Sequence, residues 1–284
     1  MPKAELANNL NLHYEDLGSG PDVAFIHGIG GNLATWHFSI VPALWDRYRC
    51  LTYDLRGHGY SDATETGYTC TQQAEDLVQL MDALEIEQAD LVGHSFGADV
   101  ALYVAYLYPE RVRRLILIEA LVPALIPSPV KALRAHQDWT ARILEKAGIP
   151  IPKARRYDKG FMLREALKYP NKWGPMKDKP VSWRTERLAD LFEQTNIVEE
   201  LVVVGELTKK RIASIKAPVH LIYDADSSLW LRSHRELRKL LPNQTSTLLA
   251  TGTDDFSHLL PLVMPEVVVE EILIGLGEVS REDE

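Results

Sequence analysis

Cysteine is nearly absent. Cys50 and Cys70 are the only two in 284 residues, too few for a disulfide framework or a cysteine-rich metal site. Such sparse use suits a reducing compartment, and a cytoplasmic protein is expected. The stretch from Met1 to Leu10 lacks the apolar run of a secretory leader. The richest apolar run, Leu115 to Ile126, carries Glu119 in its middle and is too short to span a bilayer. An excess of positive charge is missing too. The net charge of -9 argues against nucleic acid or an anionic membrane surface as partner. The basic clusters Arg111-Val112-Arg113-Arg114 and Lys153-Ala154-Arg155-Arg156 read as solvated faces and helix C-termini. No ligand cluster has metal spacing, so neither a metal nor a cofactor is implied. Internal repeats and low-complexity segments are absent.

What is present is core-forming residue content, 46% hydrophobic, arranged as short apolar runs alternating with helical periods. A hairpin, Lys3–Leu6 and Leu10–Tyr14, opens the chain. Val23-Ala24-Phe25-Ile26 runs into His27-Gly28-Ile29-Gly30-Gly31, and Arg49-Cys50-Leu51-Thr52-Tyr53 runs into Asp54-Leu55-Arg56-Gly57-His58-Gly59-Tyr60-Ser61. From Thr71 to Leu84 the apolar positions Ala74, Leu77, Val78, Leu80, Met81 and Leu84 follow a helical period. Leu115-Ile116-Leu117-Ile118 and Ala217-Pro218-Val219-His220-Leu221-Ile222-Tyr223 are further buried runs. Strands of this kind alternating with helices predict an α/β fold with a mostly parallel central sheet covered on both faces.

The alternation stops near Glu119. From Leu121 to about Ile212 the one strand-like run is Leu201–Val204, among prolines and the amphipathic stretches Val130–Gly148 and Val181–Gln194. This segment reads as an inserted helical lid. The expected organisation is a core in two parts, residues 1–121 and 213–284, with a lid over 122–212. A final helix is expected at Pro265–Leu276.

The most telling motif is Gly93-His94-Ser95-Phe96-Gly97, which follows Leu91-Val92 and precedes an alanine-rich helical stretch. It is a G-x-S-x-G pattern in a strand–turn–helix setting, a turn that lifts a serine oxygen above a sheet. The helix behind it aims its first N–H groups at the same point.

With these segments in view, the chain resembles the α/β-hydrolase superfamily over nearly its whole length. The likeness rests on His27-Gly28-Ile29-Gly30, Asp54 to Ser61, the turn around Ser95, and Ala217 to Tyr223. It implies Ser95 as nucleophile and the backbone N–H groups of Ile29 and Phe96 as the oxyanion hole, with His27 and His58 orienting loops. For the acid it leaves two positions open. The usual Gly-x-x-Asp turn after Val219–Tyr223 reads Asp224-Ala225-Asp226-Ser227, where Asp226 fits only with a one-residue shift. Glu119, at the end of Leu117-Ile118-Glu119, is similar to the acid position of zearalenone lactone hydrolase and of some haloalkane dehalogenases. For the base, alignment on Phe256 places Asp255 where a histidine is usual, while His258 lies three residues beyond. An aspartate is a feeble base toward a hydroxyl. His258 in a rearranged loop, Asp255 in an impaired triad, and another histidine (His136, His220 or His234) all stay open.

The resemblance implies a serine esterase or lactonase acting on a small-to-medium apolar substrate through an acyl-enzyme, with Glu119 and His258 completing the site. A carbon–carbon hydrolase or lyase on the same fold, or a ligand-binding protein with an impaired triad, are the alternatives. The expected partner is that small molecule alone, without nucleic acid or membrane; a homo-oligomer stays open.

Overall fold

The computed structural model describes residues 1–169, 183–226, 230–252 and 257–278. Eight strands form one sheet: β1 (Lys3–Glu5), β2 (Asn11–Gly18), β3 (Asp22–Ile26), β4 (Arg49–Tyr53), β5 (Ala89–His94), β6 (Val112–Ile118), β7 (Val219–Asp224) and β8 (Gln244–Leu249). Their order is β1-β2-β4-β3-β5-β6-β7-β8. The first two pairings, β1 with β2 and β2 with β4, are antiparallel. The rest of the sheet is parallel.

Alternation along each strand sends side chains to two separate cores. Ala24, Ile26, Leu91, Leu115, Leu117, Leu221 and Tyr223 face one core. Val23, Phe25, Val92, Ile116, Ile118 and Ile222 face the other. Both faces are therefore dry, which is why these strands read as unbroken apolar runs. Each of the Val, Leu, Ile and Phe side chains among them contributes roughly 1.5–3 kcal/mol when fully buried.

Eleven helices occur among the described residues: α1 (Ala34–His37), α2 (Cys70–Ala83), α3 (Phe96–Leu107), α4 (Pro129–Lys146), α5 (Lys159–Leu167), α6 (Trp183–Gln194), α7 (Ile197–Glu200), α8 (Lys209–Ile212), α9 (Leu231–Leu240), α10 (Leu260–Val263) and α11 (Pro265–Leu276). Leu77, Leu80 and Met81 of α2 and Val100 and Val104 of α3 cover the first face. Trp36 of α1 and Val268, Ile272 and Leu276 of α11, four residues apart, cover the second. The helix ends follow local chemistry. Thr69 caps α2 by accepting from the Gln72 N–H, and Ser128 caps α4 ahead of Pro129. Gly277, at φ 83°, ends α11 in the left-handed conformation.

Between β6 and β7 the described chain is helical, α4 to α8. Part of it has a small core of its own, in which Ala141 and Leu144 of α4 meet Met162 and Ala166 of α5. Leu201–Val204, strand-like in sequence, forms a turn that leaves Val203 and Val204 exposed. No strand lies beside it among the described residues to complete a ladder. No helix among the described residues is long and apolar enough to cross a membrane.

Candidate active site

The strand order turns between β3 and β5, neighbours that pair Ile26 with Gly93. Connections from these two strands leave in opposite directions, which opens a crevice at their carboxyl ends. Two loops meet there: residues 27–31 after β3, and the turn at Ser95 after β5. Ser95 has φ 55° and ψ −122°, a conformation that costs a non-glycine residue about 1–3 kcal/mol. The flanking glycines make the turn possible. A Cβ on Gly97 would stand 2.2 Å from the Ile26 carbonyl oxygen, and one on Gly93 2.4 Å from that of Gly97.

Ser95 Oγ lies 2.8 Å from His258 Nε2. His258 Nδ1 lies 2.7 Å from Glu119 Oε2. The other carboxylate oxygen, Oε1, accepts from the Asp224 N–H at 2.8 Å. An unbroken hydrogen-bonded chain thus runs from the end of β7 through Glu119 and His258 to Ser95. Its four members come from separate parts of the sequence. Glu119 is wholly buried just past β6, with φ 54°. Burial pushes its carboxyl well above the ordinary range, while the Asp224 N–H pulls the other way. Burial pushes the His258 imidazole down, toward the neutral form.

The His258 ring is fixed from several sides. The Trp230 ring stacks on it, with centroids 3.9 Å apart and planes at 21°. The His136 ring meets it edge-on at 6.1 Å. His94 Nε2 donates to the His258 carbonyl at 2.8 Å. A carbonyl only accepts, so His94 carries its proton on Nε2. Burial holds that ring neutral, pushed down to about 3.

A second network ties the loop at 27–31 to the one at 54–61. His27 Nδ1 donates to the Gly28 carbonyl at 2.8 Å, and its Nε2 accepts from the Leu55 N–H at 3.0 Å. His58 Nδ1 donates to the Arg56 carbonyl at 3.0 Å, and its Nε2 accepts from the Gly30 N–H at 3.3 Å. Both rings are therefore neutral and serve as loop struts. Asp54 lies beneath them, accepting from His13 Nδ1 at 2.7 Å and from the N–H groups of Leu33 and Tyr60 at 2.8 Å each. The amides of Ile29, on the loop so held, and of Phe96, at the turn after Ser95, form no hydrogen bond with another described backbone group.

Ser95, His258, Ile29 and Phe96 all line one cavity of about 320 Å3, within the usual range for a small-molecule site. Ile126, Leu133, Ile143 and Leu163 make much of its wall apolar. Among the described residues no group of three or more His, Cys, Asp or Glu side chains is placed to hold a metal.

The model of the alpha/beta hydrolase fold family matches residues 21–256. The chain belongs to the α/β-hydrolase fold family. This family member is 35% identical over 136 residues to the 2-(acetamidomethylene)succinate hydrolase of Mesorhizobium japonicum, a match covering 48% of each chain. It is 43% identical over 110 residues, 38% of each chain, to the 2-hydroxymuconate semialdehyde hydrolase of Pseudomonas sp.. The solved hydrolase from Pseudomonas aeruginosa PA01 superimposes with TM-score 0.67 at 26% identity, covering 97% of this chain and 98% of that one. The matched segments span about half or less of the length of these curated relatives.

Within this α/β-hydrolase fold the expected site residues fall as follows. Ser95, Glu119 and His258 come together, with the amides of Ile29 and Phe96 on the adjoining loops. Asp226 does not join them. It is exposed, and its backbone N–H caps Asp224 Oδ1 at 2.8 Å; the chain turns there before Asp226 reaches the cavity. Asp255 lies outside the described residues. His220 is engaged elsewhere, with Glu271 at 2.8 Å and Thr245 at 2.7 Å. His234 packs against the Tyr223 ring. Several cavity residues escaped the sequence reading. Asp99, one helical turn beyond Ser95, accepts from the Val122 N–H at 3.0 Å, and burial pushes its carboxyl up to about 7. His94 stood in the motif as the variable residue before serine, a position with no fixed meaning. Trp230 and Lys159 had no local signal at all.

Proposed function

We propose that this protein is a serine hydrolase that cleaves a carboxylic ester or lactone of a small-to-medium, largely apolar substrate through an acyl-enzyme. The observation that carries this reading is the continuous chain from Glu119 through His258 to Ser95 at the wall of an apolar cavity. With Nδ1–H donated to Glu119, His258 Nε2 is left free to accept the Ser95 proton. Ser95 Oγ attacks the carbonyl carbon, and the developing oxyanion takes hydrogen bonds from the N–H groups of Ile29 and Phe96. His258 then protonates the leaving alkoxide. Water, deprotonated by the same imidazole, releases the acid and restores Ser95. Glu119 holds the tautomer and stabilises the imidazolium. The helical segment between β6 and β7 acts as the lid that closes the cavity and selects the substrate.

A carbon–carbon hydrolase is the second reading, favoured by the 43% identity with the semialdehyde hydrolase. A serine at the turn speaks against the covalent carboxylate ester of dehalogenase or epoxide-hydrolase chemistry.

The deciding test is intact mass after fluorophosphonate treatment, with the adduct mapped by digestion, followed by turnover of nitrophenyl esters and of a vinylogous β-diketone. Labelling at Ser95 with ester turnover supports the ester reading. Labelling with diketone cleavage alone moves the assignment to the second. Absence of labelling, in a protein that melts cooperatively, refutes both.

A further inference from the structure

Lys159 is a cation in a largely apolar wall, with no carboxylate ion-paired to it among the described residues. It is the first residue of α5, and its side chain lines the same cavity as Ser95. Its Nζ donates to Thr140 Oγ1 at 3.0 Å. The Thr140 hydroxyl spends its own proton on the His136 carbonyl, also at 3.0 Å. No carboxylate among the described residues pairs with Lys159. The adjacent Asp158 faces away: it caps the Phe161 N–H and takes Arg155. An ammonium has three N–H donors, so two remain unassigned.

No contact among the described residues accounts for a charge at this place. The amino end of a helix repels a cation, and an apolar wall solvates it poorly. Enclosure accordingly pushes the ammonium down to about 8, which still leaves it charged at neutral pH. His136, the nearest titratable ring on α4, is held neutral by its burial and by Lys159 itself. The wall built from α4 and α5 therefore carries a positive charge that no described carboxylate pairs with; Asp99, the acid that also lines the cavity, lies on α3 and is taken by the Val122 N–H.

We propose that the substrate bears a carboxylate in addition to the bond that is cleaved, and that Lys159 binds it through its two free N–H donors. This rests on the reading of the cavity as the substrate site. It narrows the substrate class to half-esters of dicarboxylic acids, or lactones carrying a free carboxylate. Thr140 holds the ammonium in place without itself contacting the acid, since its hydroxyl proton is already committed.

The test compares two nitrophenyl esters with acyl chains of equal length, one ending in methyl and one in carboxylate. In wild type the carboxylate ester is preferred. In Lys159→Met the ratio of kcat/KM values, carboxylate over neutral, falls about 10- to 100-fold, the scale of one charge-assisted hydrogen bond. A ratio unchanged within about threefold overturns the proposal. A second measurement works without turnover. Hexanoate and 1-hexanol are titrated calorimetrically into Ser95→Ala, with and without Lys159→Met. Hexanoate binding that weakens about tenfold or more on loss of Lys159, with hexanol affected less, supports the site; equal weakening of both, or of neither, overturns it. If wild type hydrolyses neither ester and Ser95 resists labelling, the hydrolase reading fails, and the titration still decides Lys159.

Discussion

Replacing Glu119 by glutamine leaves shape and size almost unchanged and reverses one hydrogen bond. The carboxylate now accepts twice, from His258 Nδ1 at 2.7 Å and from the Asp224 N–H at 2.8 Å. A glutamine has one accepting oxygen. The buried Asp224 N–H cannot be turned into an acceptor, so the amide oxygen must stay there and the NH2 must face His258. Nδ1 then accepts, the ring proton moves to Nε2, and Nε2 donates to Ser95 instead of receiving its proton. The expected loss in kcat, or in the rate of Ser95 phosphonylation, is about 1,000- to 10,000-fold, equivalent to about 4–5.5 kcal/mol of barrier. KM should barely change, because the substrate does not touch Glu119. Asp226→Asn is the companion variant, expected within about twofold of wild type because that side chain is exposed. Phosphonylation rates followed by intact mass check both, with melting curves to show that the fold is kept. Glu119→Gln retaining about a tenth or more of the wild-type rate, or Asp226→Asn losing as much as it, would refute the reasoning.

Other expectations follow from the same geometry. Ser95→Gly should be more stable than Ser95→Ala by about 1 kcal/mol, because only glycine relaxes at φ 55° and ψ −122°; urea unfolding of the two inactive proteins measures it, and a more stable alanine variant contradicts the strain. Gly97→Ala places a methyl 2.2 Å from the Ile26 carbonyl, so stability should fall by about 2–3 kcal/mol and Ser95 labelling should be lost; an unchanged melting temperature and labelling rate would count against the close approach. Asp54→Asn leaves one of the donors from His13, Leu33 and Tyr60 facing an NH2 group, at about 2–4 kcal/mol near pH 7. Burial pushes Asp54 up, yet those hydrogen bonds outweigh it and hold its carboxyl below the ordinary value. Its ionised form therefore stabilises the fold above the unfolded pKa of about 3.9, and that contribution fades as pH falls through the lower folded value. The gap between wild type and Asp54→Asn in urea unfolding should narrow on acidification; a gap that widens below pH 4 would reverse the sign and sink the assignment.

Local pattern determined much of this protein. Two-sided burial makes β3 to β7 legible as apolar runs, and a 3.6-residue period makes α2 and α11 legible as helices; α11 spans Pro265–Leu276 as its proline start and glycine stop imply. The turn at Ser95 is equally local, since its glycines answer to atoms within a few residues and one neighbouring strand. The choice between Glu119 and Asp226 for the acid, and the reach of His258 to the base position, were not local. Glu119 and His258 stand 139 residues apart, and only the parallel pairing of β5, β6 and β7 brings the ends of those strands to one edge. His258 reaches Ser95 from a short helical turn whose path depends on His94 and Trp230, contacts that no spacing rule encodes. The cation at Lys159 is the extreme case. Its residue type is unremarkable on a helix, and its meaning comes entirely from the apolar wall that encloses it, because desolvation is a property of the assembled surroundings rather than of the chain.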